Sequence, residues 1–255
     1  MMKKEYIATV SERRMLNGDT AYLTIKCPQI ANEAKPGQFV NISCSRFLKR
    51  PFGIASVNAS EGTFNIGVKI VGKGTTEIAA FEVGKEITVL GPLGNGFTID
   101  NSGKYILVSG GTGVFPINFA HEYMTSQNIE HVVVQGFRDK SQVIMNEDSF
   151  VLTTDAGDAG MKGNCCDGLN TLAENIKNGA QVLCVGPLPM MKAVGKWAQD
   201  NGLTCFVSME QRMACGIGIC LVCICKIKAE AAGQEFDHKR CCKDGPVFNY
   251  EEVIW

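Results

Sequence analysis

The sequence of 255 residues lacks the features by which several large classes of protein are identified. No apolar run reaches the roughly 18 residues of a membrane-spanning helix, and the opening residues carry lysines but no apolar stretch of secretory-signal length. The net charge is -1, so the basic surface that a nucleic-acid-binding protein needs is not expected. These absences favour a soluble, cytoplasmic globular protein with no nucleic-acid or membrane partner.

Motifs of several enzyme classes are also missing. There is no G-x-S-x-G nucleophile elbow and no Walker loop. His121, His131 and His238 stand alone without the spacing of metal ligands, so we expect ordinary surface or core histidines. The glycine-rich segment Asp155–Gly168 lacks the D-x-D-x-D-G order of a calcium loop. We therefore expect no acid, base or nucleophile of this chain to break a substrate bond.

Cysteine, by contrast, is abundant, with 12 residues. Without a secretory signal a disulfide scaffold is disfavoured, because the cytosol keeps thiols reduced. Some cysteines are scattered singly through apolar segments and are expected to be small buried residues: Cys27, Cys44, Cys184 and Cys205. Six others cluster near the C-terminus and indicate a metal or cluster site: Cys215, Cys220, Cys223, Cys225, Cys241 and Cys242.

The first hundred residues predict β structure. Short runs rich in β-branched residues alternate with turn signals such as Asn17-Gly18-Asp19, a rhythm typical of an antiparallel barrel or sandwich. The predicted strands are Ile7–Ser11, Tyr22–Lys26, Gln38–Ser43, Ile54–Asn58, Thr63–Ile70 and Glu86–Leu90. Only Thr75–Phe81 has a helical pattern.

After the turn-rich Gly91–Gly96 the pattern changes to strands alternating with helices, which predicts a parallel sheet. The predicted strands are Tyr105–Ser109, His131–Gln135, Phe150–Thr154, Gln181–Val185 and Leu203–Ser208, and the predicted helices are Ile117–Gln127, Leu169–Lys177 and Met190–Asp200. Regular periodicity fades from Met209 onward. We predict an antiparallel β-barrel over residues 1–101, an α/β domain over 102–209 and a cysteine-rich module over 210–255.

The strongest chemical signal is the segment MACGIGICLVCIC. Cys215, Cys220 and Cys223 follow the C-x4-C-x2-C spacing by which plant-type ferredoxins bind a 2Fe-2S cluster. Gly216 and Gly218 allow the tight loop that three converging thiolates need. A zinc site is the alternative, although only Cys220–Cys223 forms a C-x2-C knuckle. The spacing alone leaves the fourth ligand open among the downstream cysteines.

Two further signals point to phosphate groups. Ser109-Gly110-Gly111-Thr112-Gly113 follows a predicted strand, where glycines allow a dinucleotide to approach the backbone, and Val185-Gly186-Pro187 ends a second strand. Arg50-Pro51-Phe52-Gly53 and the glycine-rich segment 72–76 could bind a cofactor pyrophosphate. Taken singly, each of these segments is also compatible with an ordinary turn.

The order of these motifs resembles the iron–sulfur flavoprotein electron-transfer subunits of type B dihydroorotate dehydrogenase, within the ferredoxin–NADP reductase superfamily. The resemblance covers nearly the whole chain, and the cysteine-rich tail is its most specific part. The segments that carry it are RPFG, VGKGTT, LGPLGNGF, SGGTGVFPI, TTDAGDAGMKG, VGPLPMMKAV, SMEQRMACGIGIC and RCCKDGPVF.

The resemblance implies a set of binding residues. For FAD they are Arg50, Pro51, Phe52, Gly53, Gly67, Val68, Lys69, Gly74 and Thr75, with Gly53 standing where relatives carry a hydroxyl residue. For NAD they are Gly110, Gly111, Gly113, Gly186 and Pro187. For the 2Fe-2S cluster they are Cys215, Cys220, Cys223 and Cys242, since the family's last cysteine stands just before Asp-Gly-Pro.

The resemblance also implies a function. The chain would pass electrons between NAD and the FMN-containing catalytic subunit that oxidises dihydroorotate in pyrimidine biosynthesis, within a heterotetramer whose cluster lies near the subunit boundary. In one alternative the cofactors are the same but the partner differs. The chain would then be a subunit of an NAD(P)H–ferredoxin or sulfide oxidoreductase, including flavin-bifurcating enzymes of this kind. Another is a zinc-stabilised interaction module without redox activity. Arg138, just after the second strand of the sheet, leaves the choice between NAD and NADP open.

Overall fold

The computed structural model describes residues 4–229 and 234–255, which form a barrel, a mostly parallel sheet and a cysteine-rich tail. The barrel strands are β1 (Glu5–Met15), β2 (Thr20–Lys26), β3 (Phe39–Ile42), β4 (Arg50–Asn58), β5 (Thr63–Lys69) and β6 (Glu86–Leu93). The sheet contains β7 (Lys104–Gly110), β8 (Glu130–Phe137), β9 (Val151–Thr154), β10 (Met161–Lys162), β11 (Gln181–Val185) and β12 (Cys205–Ser208). The tail adds β13 (Ile224–Lys228), β14 (Phe236–Arg240) and β15 (Val247–Asn249).

The barrel is antiparallel and closed in the order β1-β2-β5-β4-β3-β6. Its strands alternate buried and more exposed residues, most regularly in β6, because successive side chains of a strand point to opposite faces. The apolar side chains turned inward, such as Leu23, Ile54 and Phe64, are fully buried. The six strands predicted for this region are confirmed, with small differences at their ends.

The second sheet has the order β10-β9-β8-β7-β11-β12-β15. All neighbouring pairs are parallel except β12 with β15, which is antiparallel. The central strand β7 is buried from Tyr105 to Gly110, as expected of a parallel strand covered by helices on both faces. The predicted α/β layer is therefore confirmed.

The helices are α1 (Pro28–Glu33), α2 (Lys73–Ala79), α3 (Val114–Ser126), α4 (Cys165–Asn170), α5 (Glu174–Lys177) and α6 (Leu188–Asp200). The single predicted helix Leu169–Lys177 is wrong, because α4 begins earlier and ends at Asn170, and α5 begins only at Glu174. The sequence analysis also missed α1. The long helix α3 contacts β4 of the barrel as well as β7, β8 and β11 of the sheet, so it fixes the two relative to each other.

The tail contains regular structure that its sequence did not indicate. Strands β13 and β14 form an antiparallel hairpin, and β15 pairs with β12 at the edge of the large sheet. The buried tail residues Cys223, Cys242 and Phe248 pack in the same apolar cluster as side chains of the barrel and of the sheet. One apolar cluster thus joins the tail and the sheet to Phe39 and Leu93 of the barrel, which also has a core of its own. Within residues 4–229 and 234–255, every helix is too short or too polar to span a membrane.

Candidate functional site

A cleft of about 380 Å³ opens where the barrel, the sheet and the tail meet. The barrel contributes Pro51, Phe52, Gly53, Gly67, Lys69 and Thr75 to its lining, the sheet side contributes Thr112, Phe115, Pro116, Val185 and Ser208, and the chain after β12 contributes Glu210, Gln211, Met213, Cys241 and Pro246. One cavity is therefore lined by segments that are far apart in sequence. Taken separately, these segments predicted binding of a flavin, a nucleotide and a metal cluster.

The floor of the cleft is formed by the paired strands β4 and β5, and the first turn of α3 covers it. A Cβ atom added to Gly67 would overlap the Phe115 ring, so this close approach requires glycine. At Gly53 an added Cβ would lie 3.4 Å from Pro116, an ordinary contact. Packing therefore does not force glycine at position 53, where the resemblance leads one to expect a hydroxyl residue.

Arg50 stands at the rim of this floor. Its Nη1 donates a hydrogen bond to the Leu48 carbonyl at 2.6 Å, and its guanidinium packs against Gly74, where an added Cβ would lie 2.6 Å from Nε. Gly74 belongs to the first turn of α2, so a fixed positive charge meets a helix N-terminus. This combination suits a phosphate group.

Two other residues that the resemblance implied for the flavin have defined partners. The Lys69 amine donates to Gln142 Oε1 at 2.6 Å and lies 3.2 Å from Asp19 Oδ2, which links the barrel to the loop after β8. Val68 is fully buried in the barrel core, so its side chain does not face the cleft. Position 68 can therefore contact a cofactor only through its backbone.

The glycine-rich turns after β7 and β11 lie side by side, because Ser109 pairs with Val185 in the parallel register. A Cβ at Gly113 would overlap the Val185 carbonyl, and the Met190 side chain fills the space beside Gly110 and Gly186. The two turns are thus brought to one edge of the sheet, as predicted, but close packing already accounts for three of their glycines.

Gly111 differs from its neighbours. Its φ is +54°, a conformation that favours glycine, and no atom lies within 4 Å of the position of an added Cβ. The backbone is therefore open at this point of the edge. Pro187 caps the N-terminus of α6, which begins at Leu188. An open backbone turn beside a helix N-terminus is suitable for a dinucleotide phosphate.

The cysteine loop of the tail, residues 215–223, curls around the sulfur atoms of Cys215 and Cys220. Gly216 and Gly218 have φ values of +70° and +86°, which permit the reversal. The N–H groups of Ile217 and Cys220 point at Cys215 Sγ, at N–S distances of 3.5 and 3.4 Å, and the Cys215 N–H points at Cys220 Sγ at 3.5 Å. Cys215 and Cys220 form one pair of thiols whose sulfur atoms accept backbone N–H groups.

A second pair joins the loop to the end of the chain, because the Cys242 N–H lies 3.4 Å from Cys223 Sγ. Burial and then the hydrogen bond to Cys223 raise the pKa of the Cys242 thiol to about 12. At Cys215 burial acts in the same direction, but the N–H groups of Ile217 and Cys220 outweigh it and lower the pKa to about 6. The loop therefore favours thiolate at Cys215.

The remaining tail cysteines already have backbone partners. Cys241 Sγ donates to the Met209 carbonyl at 2.8 Å, and Cys225 Sγ donates to the Lys239 carbonyl at 3.4 Å. Next to them, Arg240 binds both carboxylate oxygens of Asp244 and also donates to the Gly218 carbonyl at 3.1 Å. This ion pair braces the turn that carries Cys241 and Cys242 against the cysteine loop.

The donor set fits a cluster of two metal ions. Within the described ranges, no three His, Cys, Asp or Glu side chains converge on one point as ligands of a single ion. Instead the thiols form the pairs Cys215–Cys220 and Cys223–Cys242, in line with a 2Fe-2S cluster, in which two thiolates bind each iron. The zinc alternative would instead need four ligands around one ion.

Several residues at the site were missed by sequence reasoning. Phe115 and Pro116 cover the floor of the cleft, and Glu210 and Gln211 enter the cleft directly after β12. The rule that ligands bind at the carboxyl ends of parallel strands could have indicated the latter two. His121 and His131 are hydrogen-bonded, part-buried histidines, as expected, but the sequence did not indicate that they contact each other, with His121 Nδ1 2.8 Å from His131 Nε2.

Comparisons with known proteins agree with this geometry. Residues 210–254 match the family model "Iron-sulfur cluster binding domain of dihydroorotate dehydrogenase B", and residues 7–97 match "Oxidoreductase FAD-binding domain". The electron transfer subunit of dihydroorotate dehydrogenase B (NAD+) from Desulforamulus reducens is 33% identical over 100% of both chains. The same subunit from Fusobacterium nucleatum is 34% identical over 96% of both chains.

Among solved structures, one described as an NADH-dependent reduced ferredoxin–NADP oxidoreductase that performs flavin-based electron bifurcation is similar over 98% of this chain and 90% of its own, with a TM-score of 0.84 and 30% identity. The ferredoxin reductase of carbazole 1,9a-dioxygenase has a TM-score of 0.66 and 19% identity over 80% of this chain and 67% of its own. The second similarity shows the fold alone.

Proposed function

The chain belongs to the family of electron transfer subunits of dihydroorotate dehydrogenase B, and we propose that it passes electrons between NAD and a partner subunit that oxidises dihydroorotate in pyrimidine biosynthesis. It is thus an oxidoreductase subunit that uses FAD, a 2Fe-2S cluster and NAD. When bound, FAD exchanges hydride with NAD and single electrons with the cluster, a conversion that no amino-acid side chain performs.

The observation that carries this proposal is the cleft shared by all three parts of the molecule. Cys241 lines the cleft and is followed directly by Cys242, which pairs with Cys223. A flavin on the floor of the cleft and a cluster in the tail would therefore be separated by one layer of protein. This arrangement would keep both groups fixed relative to each other, with the buried Cys241 between them.

On the barrel side, we propose that Arg50 and the first turn of α2 at Gly74 and Thr75 hold the flavin pyrophosphate. The isoalloxazine ring would lie along Pro51, Phe52, Gly53 and Gly67, with the backbone of Val68 and the Lys69 amine beside it. Support comes from the guanidinium fixed at the start of α2 and from the position of these barrel residues in the lining of the cleft.

On the sheet side, we propose that NAD lies along the edge formed by the turns after β7 and β11. At Gly111 the space that a side chain would occupy is empty, while Gly110, Gly113, Gly186 and Pro187 shape the edge by packing. In the tail, Cys215 and Cys220 would bind one iron, and Cys223 and Cys242 the other. The two observed pairs support this assignment.

The surface around the cysteine loop supports a partner contact. Ile219, Leu221 and Val222 are at least half exposed and surround the exposed Cys220. Leu221 also has a φ of +57°, a strained conformation for a branched residue. An apolar surface held in this way fits a docking face for the catalytic FMN subunit, and we propose a heterotetramer with the cluster near this boundary.

We also propose a cytoplasmic location. The cysteines of the described residues are not joined in disulfides, in keeping with a reducing cytosol. The NAD and pyrimidine chemistry of the relatives' name is consistent with this compartment.

The test is reconstitution with FAD, iron and sulfide, followed by mixing with a dihydroorotate-oxidising FMN subunit. We expect the complex to reduce NAD on addition of dihydroorotate, and neither subunit to do so alone. A protein that binds both cofactors and is reduced by NADH, but that forms no complex with such a subunit, would contradict the proposed partner.

A second candidate is a subunit of an NADH-dependent ferredoxin–NADP oxidoreductase. It is favoured by the TM-score of 0.84 to the solved structure of that description. Reduction of added ferredoxin by NADH and NADP, without any response to dihydroorotate, would select this function instead.

A further inference from the structure

Strand β3 carries one buried polar side chain among apolar ones. Val40 and Ile42 belong to the barrel core, whereas Phe39 belongs to the core that the tail and the sheet share. Because successive side chains of a strand point to opposite faces, Asn41 lies on the Phe39 face, outside the barrel and toward the tail. It is 1% exposed.

The amide of Asn41 touches the cysteine loop directly. Its Nδ2 atom occupies the space that a Cβ atom at Gly216 would need, with Leu93 Cδ1 3.5 Å from the same point. Gly216 immediately follows Cys215, whose sulfur atom accepts the N–H groups of Ile217 and Cys220. The barrel therefore brings a side-chain amide to the backbone that carries this thiol pair.

The oxygen of this amide lacks a partner, because Oδ1 is buried and has no hydrogen-bond partner among the described residues, which is unfavourable. The nitrogen faces the cysteine loop, because Nδ2 lies against Gly216. An amide N–H is a donor, and the sulfur atoms of a group bound to the loop would be acceptors.

We propose that Asn41 donates a hydrogen bond from its amide to sulfur at the Cys215 end of the bound cluster and thereby raises the cluster's reduction potential. The inference rests on the proposed function, because it requires the cluster. Reduction adds negative charge to the sulfur atoms, so a donor stabilises the reduced form more than the oxidised form. Asn41 would supply from the barrel what the N–H groups of Ile217 and Cys220 supply from the tail.

The test compares two substitutions of the same kind in the same barrel. Asn41→Leu removes the amide beside the cysteine loop. Asn65→Leu removes another barrel amide with an unpartnered Oδ1, but one whose Nδ2 donates to Ser56 at 2.6 Å, on a different strand. We expect the midpoint potential of the cluster to fall in Asn41→Leu and to stay at the wild-type value in Asn65→Leu. Equal potentials in all three proteins would overturn the inference.

A spectroscopic measurement on the wild type covers the case in which Asn41→Leu loses its cluster. With heavy-nitrogen label confined to asparagine side chains, the reduced cluster should show a hyperfine coupling to one amide nitrogen, and Asn65→Leu should retain it. Absence of that coupling in a protein with full iron content would refute the role of Asn41 and leave the proposed function standing. A protein that binds no iron and sulfide at all would instead refute the proposed function.

Discussion

Cys215 of the tail and the cysteines of the sheet have opposite environments. Burial raises the pKa of Cys184 well above its ordinary value and that of Cys205 to about 12, and both side chains pack as small apolar groups. In the tail, backbone N–H groups overcome the effect of burial and lower the pKa of Cys215 to about 6. The N–H donors around its sulfur atom thus distinguish Cys215 from the core cysteines of the sheet.

The same two regions differ in how they are stabilised. The sheet buries whole strands such as β7, whereas the tail consists of a hairpin, one edge strand and a loop with exposed apolar side chains. A region that buries little apolar surface depends on its ligands for stability. Removal of the cluster should therefore disorder the tail loop and leave the barrel and the sheet folded.

The largest expected effect comes from substituting the two adjacent tail cysteines, Cys241 and Cys242, one at a time. Cys242→Ala should abolish iron binding, because one of four thiolates is lost. Cys241→Ala should retain the iron and cost only about 1–2 kcal/mol of stability, since it removes a buried hydrogen bond to the Met209 carbonyl. Iron analysis and the visible absorption spectrum measure the first effect, and thermal unfolding measures the second. Iron loss in Cys241→Ala but not in Cys242→Ala would reverse the assignment of the fourth ligand.

On the barrel side, two arginines lie at opposite ends of α2, and substituting each of them separates phosphate binding from stabilisation of the helix. Arg50 lies at its N-terminus, while Arg13 Nε donates to the Ala79 carbonyl at its C-terminus at 2.7 Å. Arg50→Leu should weaken FAD binding by about 10- to 100-fold, as expected for a lost charge-assisted hydrogen bond, and should leave iron content unchanged. Flavin fluorescence titration gives the affinity. An equal loss in Arg13→Leu would show that both act by stabilising α2 rather than by binding phosphate.

A smaller effect is expected at the exposed face of the tail. Leu221→Asn should weaken association with the catalytic subunit by about tenfold, because an apolar contact is lost. It should also stabilise the free protein by up to about 1 kcal/mol, since asparagine tolerates positive φ better than leucine does. Val83, 63% exposed on the loop before β6, provides the matched control Val83→Asn. Binding that is equally weak in both variants would place the docking face elsewhere.

The sequence was sufficient for the parts of the molecule that local pattern determines. Alternation of apolar residues located the barrel strands, and the spacing of Cys215, Cys220 and Cys223 located the loop. It was insufficient at the start of α4, where Asn164 and Asp167 form a capping box. That box begins the helix at Cys165, four residues before the start predicted from apolar periodicity at Leu169.

Contacts between distant segments were the other part that the sequence did not reveal. Asn41 and Gly216 meet only because the tail folds back on β3. His121 and His131 belong to a helix and to the next strand, and they meet because α3 packs against β8. Each residue alone looks ordinary in the sequence, and no periodicity relates the members of either pair.

The smallest predicted effect concerns the histidine pair. It tests whether burial of a titratable side chain in the sheet region makes the stability of the protein depend on pH. Burial lowers the pKa of His121 below its ordinary value of 6.5, and the neighbouring His131 acts in the same direction, whereas Glu147, with Oε1 3.5 Å from His121 Nε2, opposes them. Because the folded pKa lies below the unfolded one, the unfolded chain binds a proton first as the pH falls. The sheet should therefore lose stability below about pH 6.5, by less than about 1.4 kcal/mol per pH unit, the limit for one proton.

His121→Gln removes this titration and keeps a side chain that can hydrogen-bond to His131. Its Tm should decline less than that of the wild type between pH 7 and pH 5, while above pH 7 the two proteins should differ by a constant amount that reflects packing alone. Iron loss in acid would affect both proteins equally, because His121 lies in α3 and not in the tail. If instead the two Tm profiles stay parallel at every pH, the titration of His121 contributes nothing to acid destabilisation.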